Sequence, residues 1–389
     1  MKKLYKGIIT LLKSAILQQS MPLPEDFQLE EAAKLIKTHQ MTTLIYEGAL
    51  CCGISQQEPF LRKLFAPYCK MLQISERQLQ ALNRLYRAFE EYNIDYMPLK
   101  GSKMKALYPK PELRVMGDAD ILIRTEQYDS IRSVMQSLQF TEGEETVHEL
   151  VWKSDALYLE LHKHLIPSYN RDFYGYFGEG WARAKLLRGT QYTMTPEDEF
   201  IFLFTHFAKH YRDGGIGCRH VVDLWVYLRA YPELDLDYIQ KELKKLQLLD
   251  FYRNIRRLIS TWFEAQESDP KTDFLTEFIF ASGSFGQMEN RVLSRAVRDA
   301  NHSVLGFRGK LLYFWNLAFP GTEILQGKYT ILKKHPCLLP LVWLIRPFYK
   351  VFFERSPLKT QLRNLAAVDQ QGVDHHQKML HYVGLDYNF

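Results

Sequence analysis

The chain has 389 residues, 46% of them hydrophobic, 24% charged and 14% aromatic, with a formal net charge of +5. That length exceeds what one hydrophobic core usually serves, so two or three domains are expected, and the composition excludes an intrinsically disordered chain. The charge is too mild to argue for nucleic acid, although it permits an anionic ligand such as a nucleotide.

Five cysteines, Cys51, Cys52, Cys69, Cys218 and Cys337, have no regular spacing. They suit neither a zinc knuckle nor a disulfide framework, so a reduced, cytoplasmic protein is expected. Met1-Lys2-Lys3 precedes a short apolar run, Gly7 to Leu12, but Lys13 interrupts it and no small-residue cleavage site follows; an amphipathic helix is expected there. No stretch reaches the roughly 18–20 uninterrupted apolar residues of a membrane span.

Residues 1–92 carry a helical pattern and form an expected N-terminal helical region. Leu72, Leu79, Leu82, Leu85 and Phe89 make one stripe at spacings of three, four and seven. Asn93-Ile94-Asp95 is a turn, and residues 93–195 form the expected catalytic domain. Within it, Tyr96 to Leu99 reads as a strand and Gly101 to Tyr108 as a short helix closed by Pro109 and Pro111. Asp118 to Ile123 is a strand in which Ala119, Ile121 and Ile123 alternate with acids. Tyr128 to Gln139 is a helix, Glu142 to Glu145 a loop, and Leu157 to His162 a second alternating strand. Alternating strands and helices indicate an α+β arrangement around a small mixed sheet. Residues 196–300 return to helix, over Glu197 to Tyr211, Val221 to Ala230, Leu236 to Leu246 and Phe251 to Gln266. Thr195-Pro196-Glu197-Asp198 supplies a start signal, with a Thr cap, Pro in the first turn and acids at the positive end of the dipole. Ser282-Gly283-Ser284-Phe285-Gly286 is a loop, and residues 301–389 form a C-terminal helical tail.

Asp118 and Asp120, at i and i+2 on a strand, project from one face about 7 Å apart. Such a pair holds divalent metal when a triphosphate supplies further oxygens; a strand with an acidic solvent face is the alternative. Upstream, Lys100-Gly101-Ser102 lies at a strand-to-helix junction, where free N–H groups and the helix dipole favour phosphate and glycine permits close approach; a tight turn is the other use of such a glycine. Downstream, Tyr158, Glu160 and His162 share one strand face, and Glu160 is placed to supply a third carboxylate, unless it is only an exposed strand residue.

These residues resemble a known family. The run Pro98-Leu99-Lys100-Gly101 through Leu113-Arg114-Val115-Met116-Gly117-Asp118-Ala119-Asp120-Ile121-Leu122-Ile123, followed by Leu161-His162, His206-Phe207-Ala208-Lys209-His210 and Val222-Asp223-Leu224, is similar to the uncharacterised nucleotidyltransferases of bacteria within the DNA polymerase β superfamily. The four pieces occur in the family's order, and the resemblance spans about Leu44 to Gly286. It implies a polymerase β-like domain flanked by helical regions. It also implies Mg²⁺ (or Mn²⁺) on Asp118, Asp120 and Glu160, phosphates against Gly101 and Ser102, and neutralisation by Lys100 or Arg114. The substrates would be an NTP and an unidentified acceptor: a small molecule, a sugar or a protein. Nucleic acid is disfavoured by the modest charge. Two departures from the family pattern stand out: the fifteen residues between Ser102 and Asp118, and Glu in place of Asp as third acid.

His206 and His210, at i and i+4 with Asp213 beyond, have a spacing that binds zinc. Otherwise their helix faces the nucleotide cleft with Lys209, Arg212 or Arg219 near the triphosphate, or simply packs. The apolar stretch 336–353, broken by Pro340, Arg346, Pro347 and Lys350, either lies on a membrane surface or is buried against the helical domain. Three functions therefore compete: a nucleotidyltransferase, a non-catalytic nucleotide-binding or regulatory protein, and a membrane-surface scaffold.

Overall fold

The N-terminal periodicity resolves into helices α1 (Lys3–Leu17), α2 (Ala33–Thr38), α3 (Thr42–Cys51) and α4 (Pro59–Glu91). The computed structural model describes residues 1–168, 170–284, 286, 315, 319–325, 329, 331–352 and 370–386; the expected boundary at residue 300, and Phe285 and Phe353 of the segments singled out above, lie outside the described residues. Helix α1 is the amphipathic N-terminal helix, burying Ile8, Leu11, Leu12 and Ala15 on one face. Against it, a Cβ on Gly48 of α3 would fall 2.0 Å from the Leu11 carbonyl oxygen, so glycine is what lets the two helices cross this closely.

Seven strands form one mixed sheet: β1 (Tyr96–Pro98), β2 (Ala119–Ile123), β3 (Thr141–Glu145), β4 (Glu149–Lys153), β5 (Tyr158–His162), β6 (Lys185–Arg188) and β7 (Gln191–Thr193). Their spatial order is β3-β4-β5-β2-β1-β7-β6. Strand β2 runs antiparallel to β1 and parallel to β5. Helices α5 (Lys100–Leu107), α6 (Tyr128–Ser137) and α7 (Arg171–Phe177) are interleaved with the strands. The segment Glu142 to Glu145, expected as a loop, is instead the edge strand β3, antiparallel to β4. Its side chains are polar on both faces, so no alternation betrays it, and such charge suits a sheet edge.

The two faces of the sheet differ. One carries Tyr96, Ile121, Ile123, Leu159, Leu161, Leu150 and Trp152, and packs with Leu82, Leu85 and Phe89 of α4 and Ile131 and Val134 of α6. On the other, Met97 and Leu122 join a larger core shared by α1, α3 and the helices α8 (Pro196–Asp213), α9 (Cys218–Ala230), α10 (Leu236–Lys245), α11 (Leu249–Phe263) and α12 (Pro270–Ser282). Helices from before residue 92 and after residue 195 therefore meet in one core. Thr195 caps α8 as its sequence predicts, its hydroxyl accepting from the Asp198 N–H at 3.2 Å. All five cysteines are free thiols. No helix of the described residues is long and apolar enough to cross a membrane.

Candidate active site

Between α5 and β2 the chain makes a single 3₁₀ turn, Pro111–Leu113, and then an irregular stretch with bends at Arg114 and Gly117 leads into the sheet. Backbone groups in such a segment need partners from elsewhere, and four helices provide them. The Leu113 carbonyl accepts from the Thr43 hydroxyl of α3 at 3.1 Å, and the Arg114 carbonyl from Lys105 Nζ of α5 at 2.8 Å. The Val115 carbonyl accepts from Arg219 Nη1 of α9 at 3.0 Å, and the Met116 carbonyl from Gln78 Nε2 of α4 at 2.9 Å. Arg114 clamps the same segment through its side chain: Nε and Nη2 donate to the two oxygens of Asp223 at 2.9 and 3.0 Å. Asp223 Oδ1 also accepts from the Tyr108 hydroxyl at 2.7 Å. All three groups are buried. Burial pushes the Asp223 carboxyl up, but Arg114 outweighs it and holds the group below its ordinary value.

The tethered segment delivers Asp118 and Asp120 to the start of β2. Asp118 is exposed, one residue before the strand, and Asp120 is buried within it. Register then decides the neighbours: Asp120 pairs with Glu160 of β5, and Glu149 of β4 pairs with His162, so these side chains share the sheet face opposite α4 and α6. Asp120 Oδ1 receives Lys100 Nζ at 2.9 Å and His162 Nε2 at 2.7 Å. His162 Nδ1 faces His148 Nε2 at 3.0 Å, and its Nε2 lies 3.7 Å from Glu160 Oε2. Lys100 reaches Asp120 from a left-handed backbone conformation, φ +37°, unusual for a residue with a side chain.

The charges explain the titration behaviour. Burial raises the Asp120 carboxyl, but Lys100 and the His162 hydrogen bond prevail and hold it well below the usual carboxylate range. Burial, then repulsion from Glu149, Asp120 and Asp118, outweighs the attraction of Lys100 and pushes Glu160 up to about 8. His148 is held neutral, at about 2, by burial and by His162 and Lys100.

The structure thus brings Asp120, Glu160 and Lys100 together and adds residues that sequence reasoning had not placed there. Ligating atoms of Asp120, Glu160 and His162 lie within 4.8 Å of one another, and those of His148, Glu149 and His162 form an overlapping group. Two carboxylates and an imidazole are a donor set that fits a divalent cation. Asp118 stands beside these groups rather than inside them. The signal for His162 was its place two residues after Glu160. His148 and Glu149 were hidden because β4 reads Leu150-Val151-Trp152, apolar on both faces.

The expected phosphate-binding residues are distributed differently. Gly101 is buried in α5, where a Cβ would meet Arg114 Nη1 at 3.2 Å, Met116 Cγ at 3.3 Å and the Asp118 carbonyl at 3.4 Å; the missing side chain lets the tethered segment close on α5. Ser102 donates its hydroxyl to the Leu99 carbonyl at 3.2 Å. Arg114 is committed to Asp223 and to the Gly101 carbonyl. On α8, Lys209 is lowered to about 8 by burial and by Lys100, with Asp213, Glu149 and Asp120 acting in the opposite sense. Arg212, one turn on, points instead to Asp172 at 2.8 Å and lies over Phe173. The His206 and His210 rings meet at 3.0 Å, and neither belongs to a metal-capable group of three among the described residues.

The chain matches the model of the family described as uncharacterised nucleotidyltransferase over residues 25–264, more than half its length, and it belongs to that family. No curated protein and no solved structure shows a significant match to it.

Two measurements test this geometry. Asp223→Ala leaves the buried Arg114 guanidinium unpaired and should cost about 3–5 kcal/mol of stability, read as a lower urea midpoint; an unchanged midpoint would mean that the clamp holds nothing. For Glu160, the folded-state pKa is raised, so the folded chain binds this proton more tightly than the unfolded one. Its stabilising contribution is complete below the ordinary glutamate value and falls away as pH rises through about 8. Without divalent cation, Glu160→Gln should therefore raise the melting temperature at alkaline pH and leave it nearly unchanged in mild acid. A variant less stable than the parent at alkaline pH would contradict the crowding of carboxylates.

Proposed function

We propose that the chain transfers a nucleoside monophosphate from an NTP to an acceptor hydroxyl at Asp118, Asp120 and Glu160, in a catalytic domain of the DNA polymerase β type spanning residues 93–195. The acceptor oxygen forms the new bond to the α-phosphorus while the bond to the β-phosphate oxygen breaks and pyrophosphate leaves. The observation that carries this reading is the register match that sets Glu160 directly beside Asp120, in a chain of the nucleotidyltransferase family. Mg²⁺ or Mn²⁺ bound there would lower the acceptor's pKa and stabilise the charge of an in-line displacement.

Each residue then has a task. Lys100 and His162 both occupy Asp120 Oδ1, which fixes the carboxylate plane and leaves Oδ2 for a ligand. His148 orients His162 through its other ring nitrogen. Asp118, exposed beside the cluster, and Glu160, half-buried, offer further oxygens. The N-terminus of α5, at Lys100, Gly101 and Ser102, and Lys209 of α8 supply the positive field for the triphosphate. Arg114 acts on the site by holding the segment that carries Asp118 and Asp120.

One contact favours a second reading, a nucleotide-binding protein without turnover: the Lys100 ammonium already compensates Asp120. Transfer of label from α-phosphate-labelled NTPs to protein or to added hydroxyl compounds distinguishes the two. The proposal expects metal-dependent transfer, lost with Asp120→Asn. Glu160→Gln should spare NTP binding within a few-fold but lower turnover by at least about 10²-fold, the scale of losing one preorganised electrostatic group. Metal-dependent NTP binding without transfer would leave the second reading standing. Turnover by Glu160→Gln at the parent's rate would remove Glu160 from the chemistry.

A further inference from the structure

Exposed large apolar side chains are concentrated in one part of the chain. Of fourteen such residues among those described, Trp315, Phe319, Ile331, Leu341, Leu344 and Ile345 fall within thirty-one positions. Three belong to the helix Leu339–Phe352. Leu341, Leu344 and Ile345 sit at i, i+3 and i+4, hence on one helical face, and are 52%, 69% and 49% exposed. Val342 points the other way, buried with Leu325 and Leu332 in a small core of its own. Trp343 beside it donates its indole N–H to the Pro320 carbonyl at 2.9 Å. The helix is therefore anchored by one face while the opposite, apolar face is open.

Charge selects the occupant. From Ile324 to Phe353 the sequence holds Lys328, Lys333, Lys334, Arg346 and Lys350 and no Asp or Glu, in a chain whose overall balance is only +5. Lys334, at the end of the turn before the helix, is exposed. An apolar helical face within a stretch that carries cations and, between Glu323 and Glu354, no acid complements an anionic lipid surface, where side chains enter the acyl boundary and ammonium groups meet headgroups. Fourteen helical residues extend about 21 Å, short of the roughly 30 Å hydrocarbon core, so the helix lies along the interface rather than across it. We infer that the Leu341–Leu344–Ile345 face docks on an anionic bilayer.

Sedimentation of the full chain with phosphatidylcholine vesicles, with and without phosphatidylglycerol, tests this. Binding should require phosphatidylglycerol and weaken with salt. The double variant Leu344→Glu, Ile345→Glu should lose at least about tenfold in affinity, and Lys334→Gln about fivefold, the effect of one surface cation. Both variants alter exposed positions; were the double variant misfolded by circular dichroism, Lys334→Gln carries the test alone. No sedimentation with either vesicle, or binding indifferent to all three changes, overturns the inference. So does a dimer in solution that the double variant dissociates, because a second copy would then cover this face.

Discussion

The irregular segment from Pro111 to Asp118 hangs from side chains of four helices, and the geometry of the acid cluster depends on that suspension. Thr43, Gln78, Lys105 and Arg219 each satisfy one of four successive carbonyls. Such a bond contributes about 0.5–1.5 kcal/mol net, while an orphaned buried carbonyl costs about 1–3 kcal/mol. The partners that α3, α4, α5 and α9 supply hold the segment that leads into Asp118 and strand β2. Those helices converge because the regions on either side of the sheet share one core. The fifteen residues separating Ser102 from Asp118 are thus accounted for by attachment to the helical scaffold.

The cluster itself opposes stability. Asp120, Glu160 and Glu149 lie on one sheet face, and like charges side by side are destabilising. Lys100 offsets part of this, from a left-handed backbone that costs of order 1–3 kcal/mol. Strain and repulsion are gathered on one face of β2, β4 and β5, while the other face of these strands is apolar and packed under α4 and α6.

Parts of this were legible in the sequence and parts were not. The alternation in Asp118 to Ile123 and in Leu157 to His162 marked β2 and β5, because both strands bury one face under α4 and α6. Thr195 announced α8. Strands β3 and β6 were silent: their residues are exposed along most or all of their length, so no period of two reaches the sequence. Strand β4 hid for the opposite reason, since Val151 is apolar on the polar face. The commitment of Arg114 could not be read locally, as Asp223 is 109 residues away. Similarly, the pairing of Arg212 with Asp172 joins residues forty positions apart.

The most direct test of the account is anomalous scattering from a crystal of the full chain grown with Mn²⁺ and a non-hydrolysable NTP. A Mn²⁺ peak is expected at Asp120 and Glu160, beside the triphosphate, with Lys100 still on Asp120 Oδ1. Nucleotide bound without metal at these carboxylates, or metal held elsewhere, would contradict it.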